Sequence, residues 1–303
     1  MIDELVFAFG ITGPVLVLLA LGWTLRRVGA IDAPFVSRAN ALVFNVALPA
    51  LLFFSIASGS LDAAFDARLT LVGLGGTLAL IALLLLVGRA LPPDQRGVFV
   101  QGAYRGNLAI LGVALAVATY GDEILPLVAL YIAVVTTVYN VVAVWLLDSS
   151  GAFRQIATNP IILGIAAGAV ASLTGLPVPL VLERTGDYLA AMALPLALLC
   201  IGANLDPGSL RSHGRTIALA AFFKLVVSPL LLVGLGLAAG LDGERLGVLF
   251  FLAASPTASA SYVMARRMTA HGALAAEIIA VTTALGVASY TAGLALLRAA
   301  ALV

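Results

Sequence analysis

A succession of long apolar stretches, separated only by short polar turns, constrains this chain more than any other feature. The stretches run over residues 5–25, 39–58, 68–90, 97–119, 123–147, 159–175, 186–204, 215–239, 246–267 and 275–298. A helix rises about 1.5 Å per residue, so about 20 residues cross a ~30 Å hydrocarbon core. Ten such spans use up most of the 303 residues. The turns between them are of the type Pro92-Pro93-Asp94, Asp148-Ser149-Ser150-Gly151 and Leu241-Asp242-Gly243-Glu244, and the connection between spans five and six, 148–158, has eleven residues. No soluble domain fits in what is left. Charged residues are 10% of the chain, where a soluble domain carries about 25%. The expected fold class is therefore all-α integral membrane, with ten transmembrane helices.

Several function classes drop out at once. A net charge of +1 gives no case for nucleic acid as a partner. The lone Cys200 cannot form an internal disulfide or a Cys/His metal cluster, and a buried thiol in an apolar run serves as a small apolar residue. No cofactor or metal is expected. The leading residues Met1 to Glu4 are acidic where the start of a cleavable signal is basic, so the first apolar run reads as the first span. A homodimer is compatible with the chain, although no motif specifies one.

Short loops make the distribution of basic residues informative about orientation. Loops 1–2, 3–4, 5–6, 7–8 and 9–10 hold Arg26, Arg27, Arg38, Arg89, Arg96, Arg154, Arg211, Arg215, Arg266 and Arg267. The opposite loops and both termini hold only Arg68, Arg184, Arg245 and Arg298. Ten against four places both termini outside. Fifteen Arg against one Lys, beside abundant Ala and Leu, suggests a GC-rich bacterial genome. The expected location is the cell inner membrane, multi-pass, with both termini on the periplasmic side.

An internal repeat divides the chain into halves at 1–150 and 151–303. Ala47-Leu48-Pro49-Ala50-Leu51-Leu52, followed by Leu61-Asp62, matches Ala193-Leu194-Pro195-Leu196-Ala197-Leu198, followed by Leu205-Asp206. Spans four and nine are both interrupted, at Arg105-Gly106-Asn107 and Ser255-Pro256-Thr257. Spans five and ten both open on an acid, Glu123 and Glu277, and carry Thr136-Thr137 and Thr282-Thr283. Five spans per half is an odd number, so the second half sits upside down relative to the first. That is the inverted-repeat plan of many secondary carriers.

The paired interruptions are the expected site. A break in a membrane helix is tolerated only where protein or a water-filled cavity surrounds it, and breaks in corresponding places of both halves point to a carrier's binding site. Half-helix N-termini at midplane present free N–H groups and partial positive charge, which favours an anion. Arg105 lies about 12 Å into span four by rise per residue, where an ionised side chain marks function by default. It would attract a carboxylate, with Asn107 donating a hydrogen bond and Gly106 at the break. The competing reading is an Arg that snorkels to the surface or pairs with helix-end carbonyls. Lys224, about nine residues into span eight and followed by Pro229, is read in the same two ways. Glu277 is either a proton-linked group or a carboxylate paired with Arg266, Arg267 or His271. His213 and His271 are loop residues. Tyr139 and Asn140 are polar positions inside span five.

With these residues in hand, the chain resembles the auxin efflux carrier family, which includes bacterial malonate carriers and the plant PIN-type auxin carriers. The resemblance is carried along the whole length. Asn40-Ala41-Leu42-Val43-Phe44 leads to Leu48-Pro49-Ala50-Leu51-Leu52-Phe53-Phe54, and Tyr104-Arg105-Gly106-Asn107 follows. Asn159-Pro160-Ile161-Ile162-Leu163-Gly164, Leu194-Pro195-Leu196-Ala197-Leu198, Lys224-Leu225-Val226-Val227-Ser228-Pro229-Leu230 and Ala254-Ser255-Pro256 complete it. It implies a fold like that of NhaA-type antiporters and bile-acid symporters, with spans 1, 2, 6 and 7 as scaffold and spans 3–5 and 8–10 as transport unit. Spans four and nine would cross at their breaks, with the pocket beside the crossing. Asn107 would meet the substrate carboxylate, and Leu48, just before Pro49, would line the pocket. The chain departs from the pattern in having Gly106, not a proline, at the span-four break, and in lacking the long central loop of many plant members.

The function expected is elevator-type transport of a small organic anion, a mono- or dicarboxylate. A cation/proton antiporter of similar fold should carry mid-membrane Asp residues beside the crossing, and every Asp here lies near a span end. A membrane enzyme would need clustered Asp or His, or a nucleophile with its base. A non-transporting sensor would show a repeat without a site. The lack of a clear intramembrane acid leans toward a uniporter or a potential-driven carrier.

Overall fold

The computed structural model describes residues 2–57, 65–147, 158–175, 178–204 and 214–303. The expected features at Leu61-Asp62, Leu205-Asp206, 148–151, Arg154, Arg211 and His213, and the division between the halves at 150/151, lie outside the described residues. Those described are helical nearly throughout. In chain order the helices are α1 Ile2–Arg27, α2 Ala33–Ala57, α3 Ala67–Gly88, α4 Arg96–Tyr104, α5 Leu108–Tyr120, α6 Asp122–Leu147, α7 Pro160–Thr174, α8 Leu180–Ala203, α9 Gly214–Ala238, α10 Gly243–Ala254, α11 Ala260–Met268 and α12 Gly272–Ala299.

Seven of these, α1, α2, α3, α6, α8, α9 and α12, are each long and apolar enough to cross a membrane unaided. The fourth and ninth expected spans are each two pieces, α4 with α5 and α10 with α11. The sixth, α7, is 15 residues long, and at about 1.5 Å per residue it falls short of the ~30 Å core. Large apolar side chains face outward along the rods: Leu71, Trp145, Val181 and Leu230 are each two-thirds or more exposed. Such a surface is a liability in water and the ordinary exterior of a protein in lipid.

The helix boundaries follow local chemistry. The Asp32 carboxylate accepts from the Phe35 N–H at 2.7 Å, and Asp66 accepts from the Leu69 N–H at 2.8 Å. Asn159 accepts from the Ile161 N–H at 3.0 Å ahead of Pro160, and Gly175 ends α7 at φ +61°. Each supplies an acceptor or a left-handed residue where helix-end groups need one. In α2 and α9 a wide π turn, Val43–Ala47 and Phe223–Val227, precedes Pro49 and Pro229. Proline removes an N–H donor and crowds the turn before it, and the wider turn absorbs both effects.

Glycines set how closely the rods approach. A Cβ at Gly22 of α1 would collide with the Leu199 carbonyl of α8, and one at Gly202 of α8 would collide with the Leu19 carbonyl of α1. A Cβ at Gly164 or Gly168 of α7 would stand 2.7 Å from the carbonyls of Pro49 or Phe53 in α2. These two pairs are thus in backbone contact. Elsewhere α3 packs on α4 and α9, α4 on α6, α9 on α10 and α11 on α12. α1 also packs along α12, where Thr12 and Thr291 share a hydrogen bond of 2.7 Å, and Arg298 bonds Glu4 at 2.7 Å while covering the Phe7 ring.

Gly202→Ala should therefore destabilise the protein by about 1–3 kcal/mol, the usual cost of overpacking. Gly75→Ala, which meets nothing within 4 Å, should cost nothing. Thermal unfolding of the two variants in detergent checks the pair.

Candidate functional site

The two interrupted rods meet at their interruptions. α4 ends at Tyr104, and Arg105 turns extended at φ −79°, ψ 94°. α10 ends at Ala254, and Ser255 turns out at φ −52°, ψ 127° ahead of Pro256, which has no N–H to continue a helix. Gly106 and Thr257 form an antiparallel bridge. The Asn107 N–H donates to the Pro256 carbonyl at 2.7 Å, and the Ala258 N–H donates to the Arg105 carbonyl at 2.9 Å. Each break thereby satisfies backbone groups that the other leaves open. Gly106 fits a tight space: a Cβ there would lie 3.1 Å from Leu108 Cδ2, 3.1 Å from Lys224 Nζ and 3.2 Å from Ser255 Cβ, so its neighbours would have to give by a few tenths of an ångström.

Hydroxyls hold the second strand in place. Thr257 Oγ1 donates to the Gly102 carbonyl at 2.6 Å, and its N–H donates to Thr282 Oγ1 at 3.1 Å. Ser255 Oγ donates to the Phe251 carbonyl at 2.9 Å and accepts from the Tyr290 hydroxyl at 3.0 Å. Thr282 and Tyr290 both belong to α12, so that helix braces the break from behind.

Two cations are buried beside the bridge. Lys224 Nζ donates to the Ala253 carbonyl at 3.0 Å and the Tyr104 carbonyl at 3.4 Å. Both carbonyls end a half-helix, where the macrodipole is negative. Ser228 adds a bond to the Ala253 carbonyl at 3.0 Å. The Arg105 guanidinium donates to Asn140 Oδ1 at 2.6 Å, to the Tyr139 carbonyl at 3.3 Å and to Met264 Sδ at 3.4 Å. The Tyr139 carbonyl also accepts from the Tyr104 hydroxyl at 3.0 Å. Among the described residues no carboxylate pairs with either cation. Asn107 starts the first turn of α5, and its carbonyl accepts from the Leu111 and Gly112 N–H groups. Its side chain does not cap that turn.

Of the sequence-expected site residues, Arg105, Gly106, Asn107, Ser255, Pro256, Thr257, Tyr139, Asn140 and Lys224 come together here. Leu48 and Pro49 do not join this hydrogen-bonded cluster. Leu48 is fully buried in α2, and the Pro49 carbonyl faces Gly164 of α7. Glu277 is buried in the second turn of α12 and has a partner of its own. His271 pairs with Asp94 at 2.9 Å in a loop. Sequence reasoning missed Tyr104, Met264, Thr282 and Tyr290. Thr282 stood out only as half of a Thr-Thr pair and Tyr104 only as part of Tyr104-Arg105-Gly106-Asn107; Met264 and Tyr290 gave no signal, because their part depends on how the helices are rotated.

Two substitutions test this description of the site. Lys224→Met leaves the Tyr104 carbonyl without its lysine, and Gly106→Ala crowds the bridge. Each should cost roughly 1–3 kcal/mol, read as a lower unfolding temperature in detergent, with Ser228→Ala costing less than Lys224→Met.

The chain was compared with known proteins. A family model described as "Membrane transport protein" matches residues 11–160 and 149–292. A protein of Rhizobium meliloti named "Putative malonate transporter" is 28% identical over 310 aligned positions, covering 97% of both chains. An uncharacterized transporter of Methanothermobacter thermautotrophicus is 27% identical over 259 positions, covering 83% of this chain and 85% of that one. The uncharacterized transporter YfdV of Escherichia coli K12 is 25% identical over 295 positions, covering 88% and 90%. The chain belongs to the auxin efflux carrier family of membrane transport proteins.

Proposed function

We propose that this protein is a secondary transporter for a small organic anion, bound where the two broken helices meet. The observation that carries the reading is the Gly106–Thr257 bridge with its surroundings. Two half-helices begin at it, a guanidinium without a carboxylate lies beside it, and the Asn107 carboxamide is not spent on capping. Free N–H groups, a fixed cation and an unused amide suit a carboxylate. The name of the Rhizobium meliloti relative points to the same chemical class.

The full reading has ten spans in two inverted halves, 1–150 and 151–303. Exchanging the halves converts the contact of span one with span seven into a contact of span six with span two. The two backbone-close pairs, α1 with α8 and α7 with α2, have this relation, which supports the inversion. In this reading α1, α2, α7 and α8 are a scaffold, and the remaining helices carry the site past it by an elevator motion. The protein sits in the cell inner membrane with its termini on the periplasmic side.

Purified protein in liposomes preloaded with an unlabelled small carboxylate should take up radiolabelled malonate or another small carboxylate. Asn107→Ala or Arg105→Ala should lower uptake by a factor on the order of 10 or more, as loss of a charge-assisted bond of about 1.5–3 kcal/mol requires, while the variant still elutes as folded protein. Uptake at the full rate in both variants would remove the bridge as the binding site.

A further inference from the structure

We infer that the empty site holds about two uncompensated positive charges, and that the protein therefore exchanges one doubly charged anion for another instead of moving it one way. The inference rests on the reading of the bridge as the anion site, and deepens it to a charge state and a mode of coupling.

The charges divide unevenly across the bridge. Helix ends carry about half an elementary charge each, negative at the C-terminus and positive at the N-terminus. The C-terminal ends of α4 and α10 share the Lys224 ammonium through the Tyr104 and Ala253 carbonyls. One cation meets two half-charges, and that side is balanced. The N-terminal ends of α5 and α11 are positive, and Arg105, the residue that follows α4, adds a full charge that cannot be lost by deprotonation. All three of its side-chain partners, Asn140, Tyr139 and Met264, are neutral.

Among the described residues no carboxylate offsets it. Glu277 is the one buried acid among the described residues, and it lies in the second turn of α12 with an interaction of its own. Asp66 is engaged by Arg245, Asp94 by His271 and Glu4 by Arg298. What lies near Arg105 instead is unspent polarity. Gln101, one turn earlier on α4, donates to the same Met264 sulfur at 3.4 Å and leaves its Oε1 without a partner. Ser261, three residues before Met264 on α11, is 1% exposed, and its Oγ is also unpaired. Buried polar atoms without partners are rare and call for a ligand or water.

Crossing the membrane requires the site to be closed off from water. An empty site would then cross with two charges exposed to a low dielectric, and a monoanion would leave one. A dianion leaves about none. Even one uncompensated charge at mid-membrane disfavours the crossing form by roughly 50-fold or more. The loaded carrier therefore crosses and the empty one stays, so each outward passage needs a dianion for the return.

The test uses unaltered protein in liposomes with the membrane potential clamped at zero. Labelled malonate, succinate or malate is added outside. The lumen holds unlabelled malonate, the equally sized monoanion malonamate, or buffer alone. Internal malonate should accelerate uptake of at least one of the three by about tenfold or more over both other fillings. Equal rates with malonate and with buffer alone, or with malonate and malonamate, overturn the exchange inference and leave the anion site standing. No uptake and no binding of any of the three acids under any filling overturns the anion site, and the exchange with it.

Discussion

Everything in this structure hangs on how the backbone is satisfied where two helices stop inside a membrane. Lipid offers no hydrogen bonds, so an open N–H or carbonyl there costs several kcal/mol, on the order of the bond itself. The bonds from Asn107 to Pro256 and from Ala258 to Arg105 meet that demand by setting one break against the other. Neither break is tenable alone. The requirement fixes where α4, α5, α10 and α11 cross, and it brings Thr282 and Tyr290 of α12 to the same place as supports.

The same geometry sorts charge. Lys224 bonds the carbonyls that end two half-helices, and Arg105, the residue that follows α4, reaches α6 and α11. Both are buried, and their surroundings give them different tasks. The lysine is absorbed by the fold, since its bonds go to the Ala253 and Tyr104 carbonyls at two helix ends. The arginine is held in position by neutral groups that leave its charge intact. A buried charge held this way is costly to keep, which is the physical reason to read it as belonging to a ligand.

Hydropathy and turn chemistry made the rods and both breaks legible in the sequence, because each depends on local composition. Pro256 lacks a donor, and Arg105-Gly106-Asn107 puts a charge, a glycine and an amide together in an apolar run. Inference stopped at contacts that depend on rotation. Nothing in the sequence around Tyr104, Met264 or Tyr290 distinguishes a residue facing the bridge from one facing lipid. Lys224 shows the limit from the other side. Its depth was readable, and its two carbonyl partners were not, since they lie 120 and 29 residues away. Leu48 and Pro49, brought forward by resemblance, sit in α2 against α7, where the glycines of α7 let the two backbones meet. Apolar length predicts a span over 159–175, and α7 occupies Pro160–Thr174 of it, because the Gly175 turn ends the helix there.

Gly106 has a consequence for how such a protein diversifies. The position is boxed in by Leu108, Lys224 and Ser255, so no side chain can grow there without moving all three. Its neighbours on the bridge are held through main-chain atoms, which substitution does not alter. The main-chain crossing can therefore persist under substitution, and a change of diet has to come from the side chains around it, such as those of α6 and α11 beside Arg105. Relatives that handle different acids can keep one crossing and vary its walls.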